Sequence, residues 1–238
     1  MGDVKGAVRM NNRRHFALNG LAQPTGDIKY SFDFGQFSQD YCVNMVLDID
    51  NGFFLDIGAG VSSLDPKGVL ISTMSNTYGL ERFREWDGIA IDYDEIYIEE
   101  AKRFRSCTMV CEDLTKTNIN DILESHNAPK KMDYLSFDVD DAQERVFSDM
   151  DFSTYSFRMI TFEHNRHLCF EDSRWQELYE SSRDKFQSLG YKVLFGNVGL
   201  YPNQPVEDWY VDQETFDKYE SISSENLTTS QIRNVLQR

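Results

Sequence analysis

Acidic residues stand at or just past the ends of four successive apolar runs, at the points where a bound small molecule would meet them. Asp56 lies in Phe53-Phe54-Leu55-Asp56-Ile57 and is followed at once by Gly58-Ala59-Gly60. Asp92 closes Gly88-Ile89-Ala90-Ile91, Asp113 follows Thr108-Met109-Val110-Cys111, and Asp138 closes Tyr134-Leu135-Ser136-Phe137. Two glycines directly after a buried strand let the backbone turn tightly and let a ligand approach closer than a Cβ permits. An ordinary strand-to-helix turn with two convenient glycines is the plain alternative. A carboxylate at the end of the second run can accept both hydroxyls of a ribose, and one after the third can accept from an adenine amino group. Asp138-Val139-Asp140-Asp141 places three carboxylates within four residues. That set suits a divalent cation, through Asp138 and Asp140, or simply a helix start with favourable negative charge. His164, one residue past Glu163, is the first candidate for a general base, since an imidazole titrates near neutrality; Asp138 is the second, as base or as orienter of an acceptor.

The loop Asp56-x-Gly58-x-Gly60 is a weak dinucleotide fingerprint. The position three after Gly60 is Ser63 rather than glycine, and Asp92 lies farther on than the spacing of that class. A nicotinamide-dependent oxidoreductase is therefore disfavoured. S-adenosylmethionine carries a sulfonium and an ammonium and no phosphate, so an acid at this loop has a physical use, and Asp56, Gly58, Ala59 and Gly60 are expected to line its site.

Elements that would position these residues follow from periodicity. The four runs above, with Met159-Ile160-Thr161-Phe162 and Tyr191-Lys192-Val193-Leu194-Phe195, are near-continuous apolar segments, as strands covered on both faces should be. Amphipathic stretches at Asp94 to Arg105, Asn118 to His126, Ala142 to Met150 and Ser173 to Leu189 read as helices between them, the last stopping at Gly190. Alternation of this kind predicts βα units and a mostly parallel sheet. Residues 1–34 form a polar lead that could cover the active site, 35–213 the domain, and 214–238 a tail expected as a peripheral helix or a loosely held end.

Composition narrows the partners. The 238 residues carry 24 Lys and Arg against 40 Asp and Glu, a formal net charge of -16, which disfavours nucleic acid and anionic membranes. Without an apolar leader or a membrane-length apolar run, a cytoplasmic location is expected. Cys42, Cys107, Cys111 and Cys169 lack disulfide-like spacing and are expected as free thiols, and the sequence His164-x-x-His167-x-Cys169 has no second ligand pair to make a zinc site.

In order along the chain, Gly52-Phe53-Phe54-Leu55-Asp56-Ile57-Gly58-Ala59, Ser75-Asn76-Thr77-Tyr78-Gly79-Leu80-Glu81 and Trp86-Asp87-Gly88-Ile89-Ala90-Ile91-Asp92 resemble the opening of FkbM-type methyltransferases. Asp133-Tyr134-Leu135-Ser136-Phe137-Asp138-Val139-Asp140, Ile160-Thr161-Phe162-Glu163-His164-Asn165 and Glu207-Asp208-Trp209-Tyr210-Val211 resemble that family's later motifs, so the likeness spans roughly residues 50 to 212. It implies a Rossmann-like class I methyltransferase sandwich with a roughly seven-stranded sheet, S-adenosylmethionine as cofactor, and O-methylation of a hydroxyl on a sugar, glycan or related small molecule. It adds Asn76 to the cofactor residues. Three departures stand out. Val61 to Met74 is an apparent insertion; Asp92 is followed by Tyr93, whose ring could stack on the adenine; and Asp140-Asp141-Ala142-Gln143 replaces the family's Glu-Gly-x-Glu. A chain that keeps the fold and has lost turnover is the rival reading.

Overall fold

A computed structural model describes residues 32–59, 62–64 and 70–237, so Gly60, Val61 and nearly all of the lead segment lie outside the described residues. Each expected apolar run is a strand: β1 (Phe53–Ile57), β4 (Asp87–Asp92), β5 (Thr108–Cys111), β6 (Lys131–Phe137), β7 (Ser156–Glu163) and β8 (Lys192–Val198). Three more follow. The apparent insertion contributes an antiparallel pair, β2 (Ser62–Leu64) and β3 (Leu70–Thr73), that lies apart from the main sheet, and Glu207–Val211 is β9.

The main sheet runs β5-β4-β1-β6-β7-β9-β8 and ends on a two-residue strand, β10 (Ser224–Glu225), that pairs parallel with β8. Within this eight-stranded sheet only β9 is antiparallel to its neighbours. From β1 the chain builds outward through β4 and β5, then crosses back to place β6 on the other side of β1. The order therefore reverses between β1 and β6, and in open α/β sheets the crevice outside the carboxyl ends at such a point is where ligands bind.

Both faces of the sheet are covered. On one, Phe54, Tyr134, Met159 and Trp209 pack with α1 (Gln39–Leu47), α2 (Tyr78–Arg84) and α8 (Thr229–Leu236). On the other, Leu55, Ile57, Leu135, Phe137, Ile160 and Phe162 pack with α4 (Ile119–Ser125), α5 (Gln143–Asp149) and α6 (Arg174–Ser188). Alternate residues of each strand thus serve opposite cores, which is why the strands read as unbroken apolar runs.

The helices are shorter than their amphipathic stretches. Glu95–Ala101 is α3, whereas the periodicity runs on to Arg105, which is buried and ion-paired with Glu81 at 2.5 Å. Gly190 takes the left-handed φ of 91° expected after α6. The tail is more ordered than a loose end: it forms α7 (Gln213–Tyr219), β10 and α8, with Ile232 buried against the core beside α1. All four cysteines are free thiols, Cys42 and Cys107 buried and Cys111 exposed. Among the described residues no helix is long and apolar enough to cross a membrane.

Candidate active site

The exit of β1 is held by its neighbours on both sides. The N–H groups of Gly58 and Ala59 both donate to the Ile91 carbonyl, at 2.9 and 3.1 Å, and Asp138 N–H donates to the Ile57 carbonyl at 2.9 Å. Gly58 adopts φ 80°, a conformation that a Cβ disfavours. Ala59 is buried beside it.

Beneath this turn Asp56 is wholly buried. Its Oδ2 accepts from Thr77 Oγ1 at 2.6 Å, while Oδ1 has no hydrogen-bond partner. Burial lifts its pKa to about 6, against the pull of the Thr77 hydroxyl and the Arg105 charge. Thr77 is fixed in turn by Arg105 Nη2 at 2.9 Å, and the same guanidinium holds Ser75 Oγ at 3.0 Å and Glu81. Burial opposes ionisation of Glu81, but the Arg105 charge and the Ser106 N–H outweigh it and keep its pKa below the usual carboxylate range. Asn76 donates Nδ2 to Ser136 Oγ at 3.0 Å and leaves its own Oδ1 buried without a partner. Ser136 is the register partner of Asp56, so the two residues that carry unsatisfied acceptor oxygens, Asp56 and Asn76, meet the same strand pair. A buried acceptor without a donor is costly. These two fit a ligand that brings N–H donors or positive charge, as the aminoacyl end of S-adenosylmethionine does.

At the ends of adjacent strands β6 and β7, Asp138 and Glu163 share a hydrogen bond. Burial first, then the Glu163 carboxyl, pushes Asp138 far above the usual carboxylate range; burial raises Glu163 as well. Asp140 is exposed beside them at φ 46°, and its N–H donates to the Asp138 carboxyl. Glu207, the antiparallel partner of Glu163, points to the same face of the sheet. It accepts from Gln39 Nε2 at 3.3 Å, keeps Oε1 without a partner, and is lifted by burial to about 8.

His164 is elsewhere. One residue past Glu163 along an extended chain, its side chain points to the opposite face. There it is wholly buried, its ring edge-on to Tyr179 at 4.9 Å, with Nε2 3.5 Å from Asp208 and Nδ1 accepting from Arg166 N–H at 3.1 Å. Asp208 is itself bound by Arg183 at 2.6 Å. The expectation of His164 at the rim as a general base is therefore corrected: strand alternation carries it away from Asp138 and into a structural ion network.

Asp92 caps the loop after β4, accepting from Asp94 N–H at 2.9 Å, and its pKa is raised, chiefly by burial. Tyr93 beside it is 77% exposed, so its ring is open to stack on a ligand. Asp113 is engaged locally instead: Oδ1 accepts from the Thr115 N–H and hydroxyl, and Oδ2 pairs with Lys116 at 2.7 Å. Those bonds, Lys116 first, lower its pKa to about 2. Its expected role with an adenine amino group is not what this turn displays.

Several site residues carried no assigned role in the sequence. Gln143, where the family tends to have glutamate, is buried; its Nε2 donates to the Phe137 and Glu163 carbonyls at 3.0 and 2.7 Å and its Oε1 accepts from Val139 N–H at 2.9 Å. Only an amide can both donate and accept in this way. Glu163 and Glu207 lay inside quoted motifs without a role, and no local signal joins them. Gly35, the first residue past the lead segment, lies at the site: a Cβ on it would be 2.8 Å from Asn76 Oδ1.

No curated protein matches the chain. Among solved structures, a TehB-like S-adenosylmethionine-dependent methyltransferase from Corynebacterium glutamicum superposes with a TM-score of 0.44 at 13% identity, covering 74% of this chain and 88% of its own. A methyltransferase from Thiobacillus denitrificans, solved with S-adenosyl-L-homocysteine, gives a TM-score of 0.38 at 13% identity over 83% of this chain and 77% of its own. The family model for the methyltransferase FkbM domain matches residues 90–193, a stretch from within β4 to the start of β8 that holds Asp92, Asp138, Gln143 and Glu163. Over those residues the chain is similar to the methyltransferase FkbM domain.

Proposed function

We propose that this protein transfers the methyl group of S-adenosylmethionine to a hydroxyl of a sugar, glycan or related small molecule. The observation that supports the reading is the hydrogen-bonded Asp138–Glu163 carboxyl pair at the β6 and β7 ends, on a segment whose Asp138 backbone carbonyl packs against the Gly58 turn. When bound, the cofactor supplies an electrophilic methyl on a sulfonium. Asp56 and Asn76 would hold its ammonium, Asp92 its ribose hydroxyls and Tyr93 a face of its adenine. An alcohol is a poor nucleophile and must lose its proton as it attacks. The Asp138–Glu163 pair, on the cofactor side of the sheet, is the group that can take that proton, and it replaces His164 in this role. Alignment of acceptor and methyl supplies most of the remaining rate, of the order of several kcal/mol in well-oriented systems.

Calorimetric titration with S-adenosylmethionine, S-adenosylhomocysteine and NAD tests the cofactor, with Asp92→Ala as control. Binding of the first two, weakened in the variant, supports the reading. A screen of sugars and glycans for transfer of labelled methyl then tests the acceptor. Cofactor binding without any product would favour a chain that keeps the fold without turnover, and binding of neither compound by folded protein would sink the proposal.

A further inference from the structure

We infer that Asp138, Asp140 and Glu163 form a binding site for one divalent cation of the magnesium or manganese class, with Glu207 behind it. Each of the three offers a carboxylate oxygen, and these atoms all lie within 4.8 Å of one another. An acidic cluster alone would mean little on a chain with 40 acids. Glu207 is the independent observation: it is 3% exposed, faces the same side of the sheet as its strand partner Glu163, and its Oε1 has no hydrogen-bond partner. A buried carboxyl oxygen with no partner beside other carboxyls either keeps a proton or meets a positive charge, and a cation binding here would displace that proton.

Among the described residues no side chain supplies that charge: no lysine or arginine forms an ion pair with any of the four carboxyls. The nearby Arg174 turns instead to Asp141 at 2.5 Å and Asp172 at 2.8 Å. An all-oxygen, all-carboxylate donor set selects hard cations over zinc or copper. Asp140 is exposed, which leaves a path from solvent and room for waters or an acceptor oxygen to complete the shell. The loop that carries these groups is held by Gln143, which ties the β6 end to the β7 end and keeps the donors together. A cation here would also lower the pKa of a bound hydroxyl; that consequence rests on the methyltransferase reading, whereas the site itself does not.

The experiment is titration of the full chain with Mn2+, free ion being read by electron paramagnetic resonance, in parallel with calorimetry of S-adenosylhomocysteine. One tight Mn2+ per chain is expected, competed by Mg2+ and weakened about tenfold or more in Asp138→Asn and in Glu163→Gln, with Asp141→Asn unchanged. Circular dichroism melts show that each variant is folded. Absence of stoichiometric Mn2+ binding in the native chain, or equal affinity in both ligand variants, overturns the site. S-adenosylhomocysteine binding without Mn2+ would remove the cation site and spare the methyltransferase reading; Mn2+ binding without S-adenosylhomocysteine would uphold the site and sink that reading.

Discussion

The Cα of Gly58 packs against the backbone carbonyl of Asp138 so closely that a Cβ placed on Gly58 would lie 1.5 Å from that oxygen. The turn after β1 and the acidic segment after β6 are therefore one wall, backbone against backbone, and the residues expected to hold the cofactor cannot move independently of those expected to act on the acceptor. Gly58→Ala adds both the clash and the positive-φ penalty, the latter alone about 1 kcal/mol. Urea denaturation should show a loss of about 2 kcal/mol or more, with cofactor affinity falling along with it. Unchanged stability and affinity would mean that the two segments are not in contact.

Arg105 is the keystone below Asp56. Replacing it by methionine leaves Glu81 buried without its cation and frees Thr77, and breaking one partner of a buried pair costs about 3–5 kcal/mol. Arg105→Met, followed by thermal melting, should fall in that range. Double replacement with Glu81→Leu should recover part of the loss, since it removes the orphaned charge.

Asp40 gives the fold a pH dependence. It is wholly buried, accepts from the N–H groups of Phe34, Gly35 and Tyr41 at 2.9, 3.0 and 2.9 Å, and its pKa is raised to about 7, by burial first and then by the charge of Asp33. Its folded pKa lies above the unfolded value of 3.8, so the folded state binds the extra proton. The contribution is complete below 3.8 and is lost as pH rises through about 7. Unfolding free energy should decline as pH rises from 3.8 to about 7, and Asp40→Asn should flatten that slope. A slope that is the same in the variant would assign the effect to other carboxyls.

Gln143→Leu removes three hydrogen bonds and leaves the Phe137 and Glu163 carbonyls and the Val139 N–H to find other partners. A destabilisation of about 2–3 kcal/mol is expected, with a larger relative effect on Mn2+ affinity than on cofactor affinity, because the amide braces the acidic loop. Equal loss of both would reduce Gln143 to a packing role.

His164 separates a structural histidine from a catalytic one. His164→Asn should lower the melting temperature, since Arg166 N–H and Asp208 lose a buried neighbour. In whatever activity is found, the pH profile should keep its shape. Disappearance of a limb of that profile would restore His164 to the chemistry.

Much of this was legible locally. Unbroken apolar runs identified six strands because a parallel sheet covered on both faces shows each strand no water, and the paired glycines after Asp56 marked a turn whose requirement for φ above zero is a property of the residue itself. The stop at Gly190 is of the same kind. What the chain could not display one-dimensionally was which side of the sheet each polar residue would take and which distant residue it would meet. Glu163 and His164 are neighbours in sequence and lie on opposite faces, because extended backbone alternates with a period of two and the last strand residue had to be known to count from. Glu163 and Glu207 are far apart in sequence and come side by side only through the antiparallel register of β7 with β9. Asp113 reads like Asp92 in the sequence, yet a threonine and a lysine just beyond it close a local turn on its carboxylate. Sequence by itself determined the elements, their order and the loop after β1; tertiary structure alone decided which carboxylates share a site, since strand pairing is a long-range choice that no window of residues contains.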